Sequence, residues 1–325
     1  MDRNGYVLLD KSVGETSFAA LDRVKKALDT KKVGHTGTLD KFASGLLIAL
    51  VGRATKLAPW FSNCNKRYEG IIKFGEETNT LDIEGVVIAQ APVPTKEAIL
   101  EVLPRFRGAF MQTPPVYSAI HVKGARASAL ARGGKMVEMQ ERPVFIHELE
   151  LVDYEPPFAA IRVFCSKGTY IRSLARDIAL SAGSRGHLFA LRRIQIARYG
   201  MSKGGETGFW VSDAVSAKED IVGALRPIDR AAFDAIGLPV LEAPDAVALA
   251  LSQGKKPTSF EFRDFFRNFP VEDWNFDAVM GVFHQGGGFI GIIEKIGEKG
   301  NLWRYGYVYG KLSENCGKGT ATSNA

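Results

Sequence analysis

The chain has little cysteine and no metal-binding pattern. Its three cysteines, Cys64, Cys165 and Cys316, are odd in number and far apart among 325 residues, which excludes a disulfide framework and a Cys-based zinc motif. Five histidines (His35, His121, His147, His187 and His284) are scattered without ligand spacing. No apolar run is long enough for a membrane span. Met1-Asp2-Arg3-Asn4 leads straight into the strand-like Val7-Leu8-Leu9, so no signal peptide is expected and the cytoplasm is the expected compartment. The phosphate loop, the G-x-G-x-x-G turn and the G-x-S-x-G elbow are all missing. Nucleotide cofactors therefore have no obvious cradle, and no motif supports a serine triad.

What is present is a basic surplus with a direction. Net charge is +6. Residues 1–204 hold 30 Lys and Arg against 20 Asp and Glu, whereas residues 205–325 hold 12 against 16. A basic amino-terminal two-thirds is the electrostatic footprint of a polyanion binder. Hydrophobic content of 46% is ample for a sizeable core, and the length suits two domains.

Inside this basic region a single stretch frames a reactive group: Gly34-His35-Thr36-Gly37-Thr38-Leu39-Asp40-Lys41-Phe42-Ala43-Ser44-Gly45. Three hydroxyls and three glycines are spread around a lone carboxylate, and the apolar run Leu46 to Val51 then reads as a buried strand. Such a carboxylate can serve as nucleophile or general base, or simply cap a turn. Periodicity predicts strands over 6–10, 66–75, 144–154, 159–165 and 187–199, the last with Arg192-Arg193 exposed. Helices are predicted from Ser17 as N-cap, from Thr95 to about Phe106, from Tyr170 to Ser181, over Ser212–Leu225 and over Leu241–Leu251. Strands with few helices favour a mixed, largely antiparallel sheet flanked by helices, an α+β fold. The aromatic-rich stretch 260–276 reads as core or as a base-stacking surface, and the tail from residue 313 as disordered.

Five motifs in order carry a family resemblance: the Gly34–Asp40 loop, Lys66-Arg67-Tyr68, Pro114-Pro115-Val116-Tyr117-Ser118-Ala119, Ser166-Lys167-Gly168-Thr169-Tyr170-Ile171-Arg172 and Leu191-Arg192-Arg193. Together they resemble the TruB family of pseudouridine synthases over residues 5 to about 200. The resemblance implies a cofactor- and metal-free isomerase of the bacterial stand-alone type. It would act as a monomer, without guide RNA, on uridine 55 in the T-loop of tRNA. Asp40 matches the aspartate that attacks the nucleoside, at the sugar or at ring C6. Tyr68 matches the tyrosine that stacks on the flipped uracil and helps proton transfer, and Arg172 the arginine paired with the aspartate. Leu191 matches the apolar residue of the pocket, His35 a T-loop contact and Asp82 an acidic residue near the RNA.

The same resemblance implies a catalytic domain over residues 1–235, with an RNA-gripping thumb near 113–140 bearing Lys123, Arg126 and Arg132. A PUA-like RNA-binding β-barrel would follow over 236–312. Lys41, Asn79 and His121 depart from the family pattern. Two alternatives remain at this level: a non-catalytic RNA-binding or tRNA-folding chaperone, and a guide-dependent synthase subunit.

Overall fold

The computed structural model describes residues 3–122, 124–197, 208–216, 220–255, 279–295 and 303–309. Its centre is the strand Ser44–Val51, in which Leu46 through Val51 are all fully buried. The continuous apolar run is explained by burial on both faces. Leu46, Ile48 and Leu50 join a cluster with Phe233, Phe283, Phe289 and Ile292 from the carboxy-terminal region. Leu47, Ala49 and Val51 pack on Leu21 and Val24 of the helix Ser17–Ala27. Each buried Leu, Ile or Val contributes about 1.5–3 kcal/mol, so the loop that enters this strand has a rigid anchor.

The main sheet has nine strands. Its path runs from Gly5–Lys11 through Ser44–Val51, Gly186–Ala197, Asn65–Phe74, Phe158–Cys165 and Arg142–Glu155 to Gly108–Gln112. Val33–His35 adds to Ser44–Val51, and Phe209–Trp210 to Gly186–Ala197. Every pairing is antiparallel except one short parallel contact, Arg192 to Ser44 and Arg193 to Gly45. The helix Ile171–Ser181 covers one face with Leu174, Ala175, Ile178 and Ala179, joined by Ile99 and Val102 of Lys96–Val102. The expected mixed, largely antiparallel α+β fold is what is found. A carboxy-terminal β region follows, four strands in the order Val240–Ala243, Val279–His284, Phe289–Lys295 and Trp303–Val308. It is joined to the main sheet through the shared core of Phe233, Phe283 and Phe289 with Ile48 and Leu50.

Several expectations change in detail. Thr16, not Ser17, caps the first helix, its hydroxyl accepting the Ala19 N–H at 3.1 Å. Ser17 is freed for another partner, described below. The expected helix Ser212–Leu225 is instead a short 3-10 turn, Val211–Asp213, followed by chain that completes the edge of Gly5–Lys11. Val215 donates to Leu8 and accepts from Asp10, and Arg226 exchanges two hydrogen bonds with Tyr6, all at 2.9 Å. An unpaired sheet edge outcompetes a local helix.

The expected helix Leu241–Leu251 divides at Pro244, which has no N–H for a helix interior. Before it Val240–Ala243 is a strand, parallel to Val279–His284; after it Asp245–Ser252 is the helix. The stretch 260–276, Lys123 and the tail from 313 lie outside the described residues.

Candidate active site

Asp40 is held at a turn between two fixed points. Before it, Ser17 Oγ donates to Leu39 O at 3.1 Å and accepts Leu39 N–H at 2.9 Å. After it, Lys11 Nζ donates to Ala43 O at 2.6 Å, and Gly45 enters the strand at φ +101°. A Cβ at Gly45 would stand 2.3 Å from Arg193 O, so both the backbone conformation and the parallel contact demand glycine.

Arg172 reaches this loop from the first turn of its helix. Its Nε lies 3.0 Å from Asp40 Oδ2. That N–H is not aimed at the oxygen, so the contact is an ion pair rather than an aligned hydrogen bond. The rest of the guanidinium is committed: Nη1 donates to Thr80 O at 2.9 Å and to Asp82 Oδ2 at 3.1 Å, and Nη2 to Tyr117 O at 2.9 Å. Arg172 and Asp82 are both about 95% buried, whereas Asp40 keeps 42% of its side-chain surface open. The cation is thus fixed in the protein and the anion is partly open to solvent.

Charge balance at Asp40 is set by opposed effects. Burial raises its carboxyl above the ordinary value and Asp82 adds to the rise, while Arg172, and secondarily Lys11, pull it down. Arg172 therefore counters desolvation, favouring the carboxylate that burial alone would disfavour.

Tyr68 and Leu191 pack in the core next to the residues that flank Asp40. Both belong to the core cluster that includes Leu39 and Phe42, and each is only 9% exposed. The register of the two strands sets Tyr68 opposite Arg193 and Leu191 opposite Gly70, which brings their side chains to neighbouring places in the sheet. Burial pushes the Tyr68 phenol up, and Arg193 opposes it by charge and by a hydrogen bond.

Arg193 corrects the expectation of an exposed Arg192-Arg193 pair. Arg192 is half-buried and paired to Asp10 at 2.6 Å, while Arg193 is 2% exposed. Its Nε donates to Leu46 O at 2.7 Å and its Nη2 to Gly37 O at 3.0 Å, so one side chain ties both ends of the Asp40 loop. The missed signal was local: two successive arginines on a strand must face opposite ways, and only one can be outside.

Tyr170, not singled out from sequence, also borders the site. Its backbone is gripped by the buried amide of Gln112, which accepts its N–H at 2.9 Å and donates to its carbonyl at 3.1 Å. Burial raises its phenol, and Arg172 and Asp40 act on it electrostatically. The Gly-Thr-Tyr-Ile-Arg run could have revealed it.

The other expected residues separate into two groups. His35 is at the loop start, half-buried, its Nδ1 accepting the Gly37 N–H at 3.2 Å. Asp82, expected near RNA, is buried against Arg172 and also takes Thr80 Oγ1 at 2.6 Å and the Glu84 N–H at 3.0 Å. It acts on the site through Arg172, not from the surface. Arg126 is exposed on the hairpin of His121–Val122 with Ala125–Arg126, and Arg132 is exposed at the end of the helix Ala127–Arg132. Lys41 is exposed, and its carbonyl accepts the Gly14 N–H at 2.8 Å. Asn79 closes its own loop by accepting the Val86 N–H at 3.1 Å. Among the described residues no group of three or more His, Cys, Asp or Glu side chains is gathered around a possible metal position.

A model of the TruB family pseudouridylate synthase amino-terminal domain matches residues 25–171. The tRNA pseudouridine synthase B of Bradyrhizobium diazoefficiens is 42% identical over 259 residues, covering 78% of this chain and 74% of that protein. The chain belongs to the TruB family. The tRNA pseudouridine synthase B of Bordetella avium is 44% identical over 231 residues, 70% of this chain and 93% of that one. A solved Cbf5-Nop10-Gar1 complex contains a similar fold, with TM-score 0.67 and 21% identity over 95% of this chain and 86% of that chain. As a member of the TruB family the chain is a pseudouridine synthase, an enzyme of the isomerase class.

Proposed function

We propose that the protein converts uridine 55 in the T-loop of tRNA to pseudouridine, in the cytoplasm, as a monomer and without guide RNA. The observation that carries the reading is the open Asp40 carboxylate held by the buried Arg172 guanidinium beside Tyr68 and Leu191. The names of the relatives, tRNA pseudouridine synthase B, support tRNA as substrate.

A uridine stacked in a folded loop must be extruded before a carboxylate can reach it, at a cost of about a few kcal/mol. Stacking on Tyr68 offsets about 1–3 kcal/mol of this, and Leu191 supplies apolar wall. Asp40 attacks the nucleoside, the N-glycosidic bond breaks, the uracil turns, a carbon–carbon bond forms between C5 and the sugar C1′, and the bond to Asp40 breaks to return the free carboxylate. The C5 proton then leaves to restore the ring. Arg126 and Arg132 on the thumb-like segment suit phosphate contacts, which position without reading sequence. The four carboxy-terminal strands fit the role of a PUA-like RNA-binding unit.

The test is release of tritium from uracil C5 of unmodified tRNA by the purified chain without added RNA. Stoichiometric release by the wild type and none by Asp40→Asn is expected. No release by the wild type, at enzyme concentrations equal to the tRNA, overturns the proposal. A chaperone would bind and refold tRNA equally well with Asp40→Asn and release no label.

A further inference from the structure

A large apolar side chain beside the site has no role in the core. Phe18 is 63% exposed, although it belongs to the first turn of the helix Ser17–Ala27. Single exposed apolar residues are common, so exposure alone decides nothing. Its placement does. The neighbouring Ser17 is the residue that clasps Leu39 with two hydrogen bonds, so the Phe18 backbone is fixed relative to Asp40, the residue after Leu39. The Phe18 ring stands edge-on to His35, with centroids 6.1 Å apart and planes at 79°. Two aromatic planes near a right angle form a corner on the loop that carries the nucleophile, with the Phe18 side open to solvent.

The chemistry of the corner discriminates between ligands. His35 uses Nδ1 to accept the Gly37 N–H, which leaves the ring proton on Nε2 as a donor. Burial and then Arg193 hold its pKa below the ordinary histidine value, so near pH 7 the ring is neutral. Two cations of the same segment are already engaged. Lys11 donates to the carbonyls of Ser12, Glu15 and Ala43, and Arg23 makes a two-point contact with Glu15 at 2.9 and 3.0 Å. A neutral aromatic corner with one N–H donor is poorly suited to phosphate. It suits a nucleobase, which offers a face for stacking and an edge of acceptors.

We infer that Phe18 extends the T-loop contact expected of His35 into a second base-binding subsite, which receives an unpaired base of the RNA loop other than the target uridine, with Phe18 stacking on its face. This rests on the proposed function for the identity of the RNA. Phe18 acts on binding and on which loops are accepted, not on the chemical step.

Binding and tritium release are measured with a T-arm stem-loop for the wild type, Phe18→Ala, Phe18→Leu and Phe18→Trp. Because Phe18 is exposed, folding is checked simply by thermal unfolding of each variant. Loss of one partly exposed stacking contact is expected to raise both Kd and KM about tenfold, with kcat within about twofold. Leu keeps apolar area without a π-face and should behave as Ala, whereas Trp should stay near the wild type. Abasic replacement of the loop nucleotides one by one should find one position at which Phe18→Ala has no further effect.

Unchanged Kd and KM in Phe18→Ala overturn the subsite, as does equal rescue by Leu and Trp. So does sensitivity to Phe18→Ala that persists at every abasic position. The binding arm is repeated in an Asp40→Asn background, where no turnover occurs. Failure of the wild type to release tritium would therefore overturn the proposed function and leave the test of the Phe18 subsite readable.

Discussion

Replacing Arg193 by Met separates positioning from stability. The guanidinium is 2% exposed and donates to two carbonyls, Leu46 O at 2.7 Å and Gly37 O at 3.0 Å. Leaving a buried acceptor unsatisfied costs about 1–3 kcal/mol, so two would cost about 2–6 kcal/mol. Against this, removing a buried cation recovers a desolvation penalty of several kcal/mol. The two terms are of similar size, and Met fills most of the stem's volume. We expect a net loss of stability of only about 1–2 kcal/mol.

Catalysis has no such compensation. The loop bearing Asp40 loses the tie between its two ends, and a misplacement of about 1 Å costs on the order of a hundredfold in rate, equivalent to about 2.7 kcal/mol. Urea unfolding and single-turnover tritium release, both run at room temperature, measure the two quantities. Arg193→Lys, which keeps the charge and can reach one carbonyl, should fall between. Tyr68 adds a sign to check: Arg193 lowers its pKa, so an alkaline limb set by Tyr68 should move to higher pH in Arg193→Met. Full turnover in a folded Arg193→Met protein would refute the reasoning, and so would a loss of activity accounted for wholly by unfolding.

Asp82→Asn removes a negative charge that raises the Asp40 pKa. The acid limb of kcat/KM should move to lower pH while kcat falls about tenfold as Arg172 loses an anchor; a limb that moves up would contradict this. Gly45→Ala combines positive φ with a Cβ 2.3 Å from Arg193 O, and should cost more than about 2 kcal/mol in urea unfolding; a change under about 0.5 kcal/mol would remove the case for an obligatory glycine. Lys66 is 7% exposed, and burial lowers its pKa to about 8 from 10.5. Between those values the unfolded chain binds the extra proton, so stability rises with pH. Relative to Lys66→Met, the wild type should therefore gain up to about 3 kcal/mol from pH 8 to 10.5. A flat difference across that range would show that Lys66 titrates normally.

Much of the site was legible because its residues lie in short, ordered motifs. Arg172 stands 3.0 Å from Asp40 although 132 positions separate them, and Tyr68 and Leu191 lie in one buried cluster with Ile72 and Phe74. The role of Asp82 and the hydrogen-bond partners of Arg193 were not legible. Asp82 could be seen as an acidic loop residue, but only Arg172, reached from 90 positions away, makes it a buried ion-pair partner. Arg193 looked like a surface cation because arginines usually are. The loop carbonyls that make its burial tolerable belong to residues 147 and 156 positions distant.

The sequence by itself determined the local elements that bear the chemistry: the apolar run that must be buried on both faces, the amphipathic helix that carries Arg172, and the glycines that let the Asp40 loop turn. These follow from periodicity and backbone sterics within a few residues. Tertiary structure decided which polar groups are inside and what they pair with. It turned Ser212–Leu225 from a helix into an edge partner for Gly5–Lys11 and directed Ser17 to Leu39 rather than to its own helix. It also set the Arg193 guanidinium against both ends of the Asp40 loop. Burial of a charge is tolerated only where distant backbone and side chains supply its hydrogen bonds, and that supply is a property of the assembled fold.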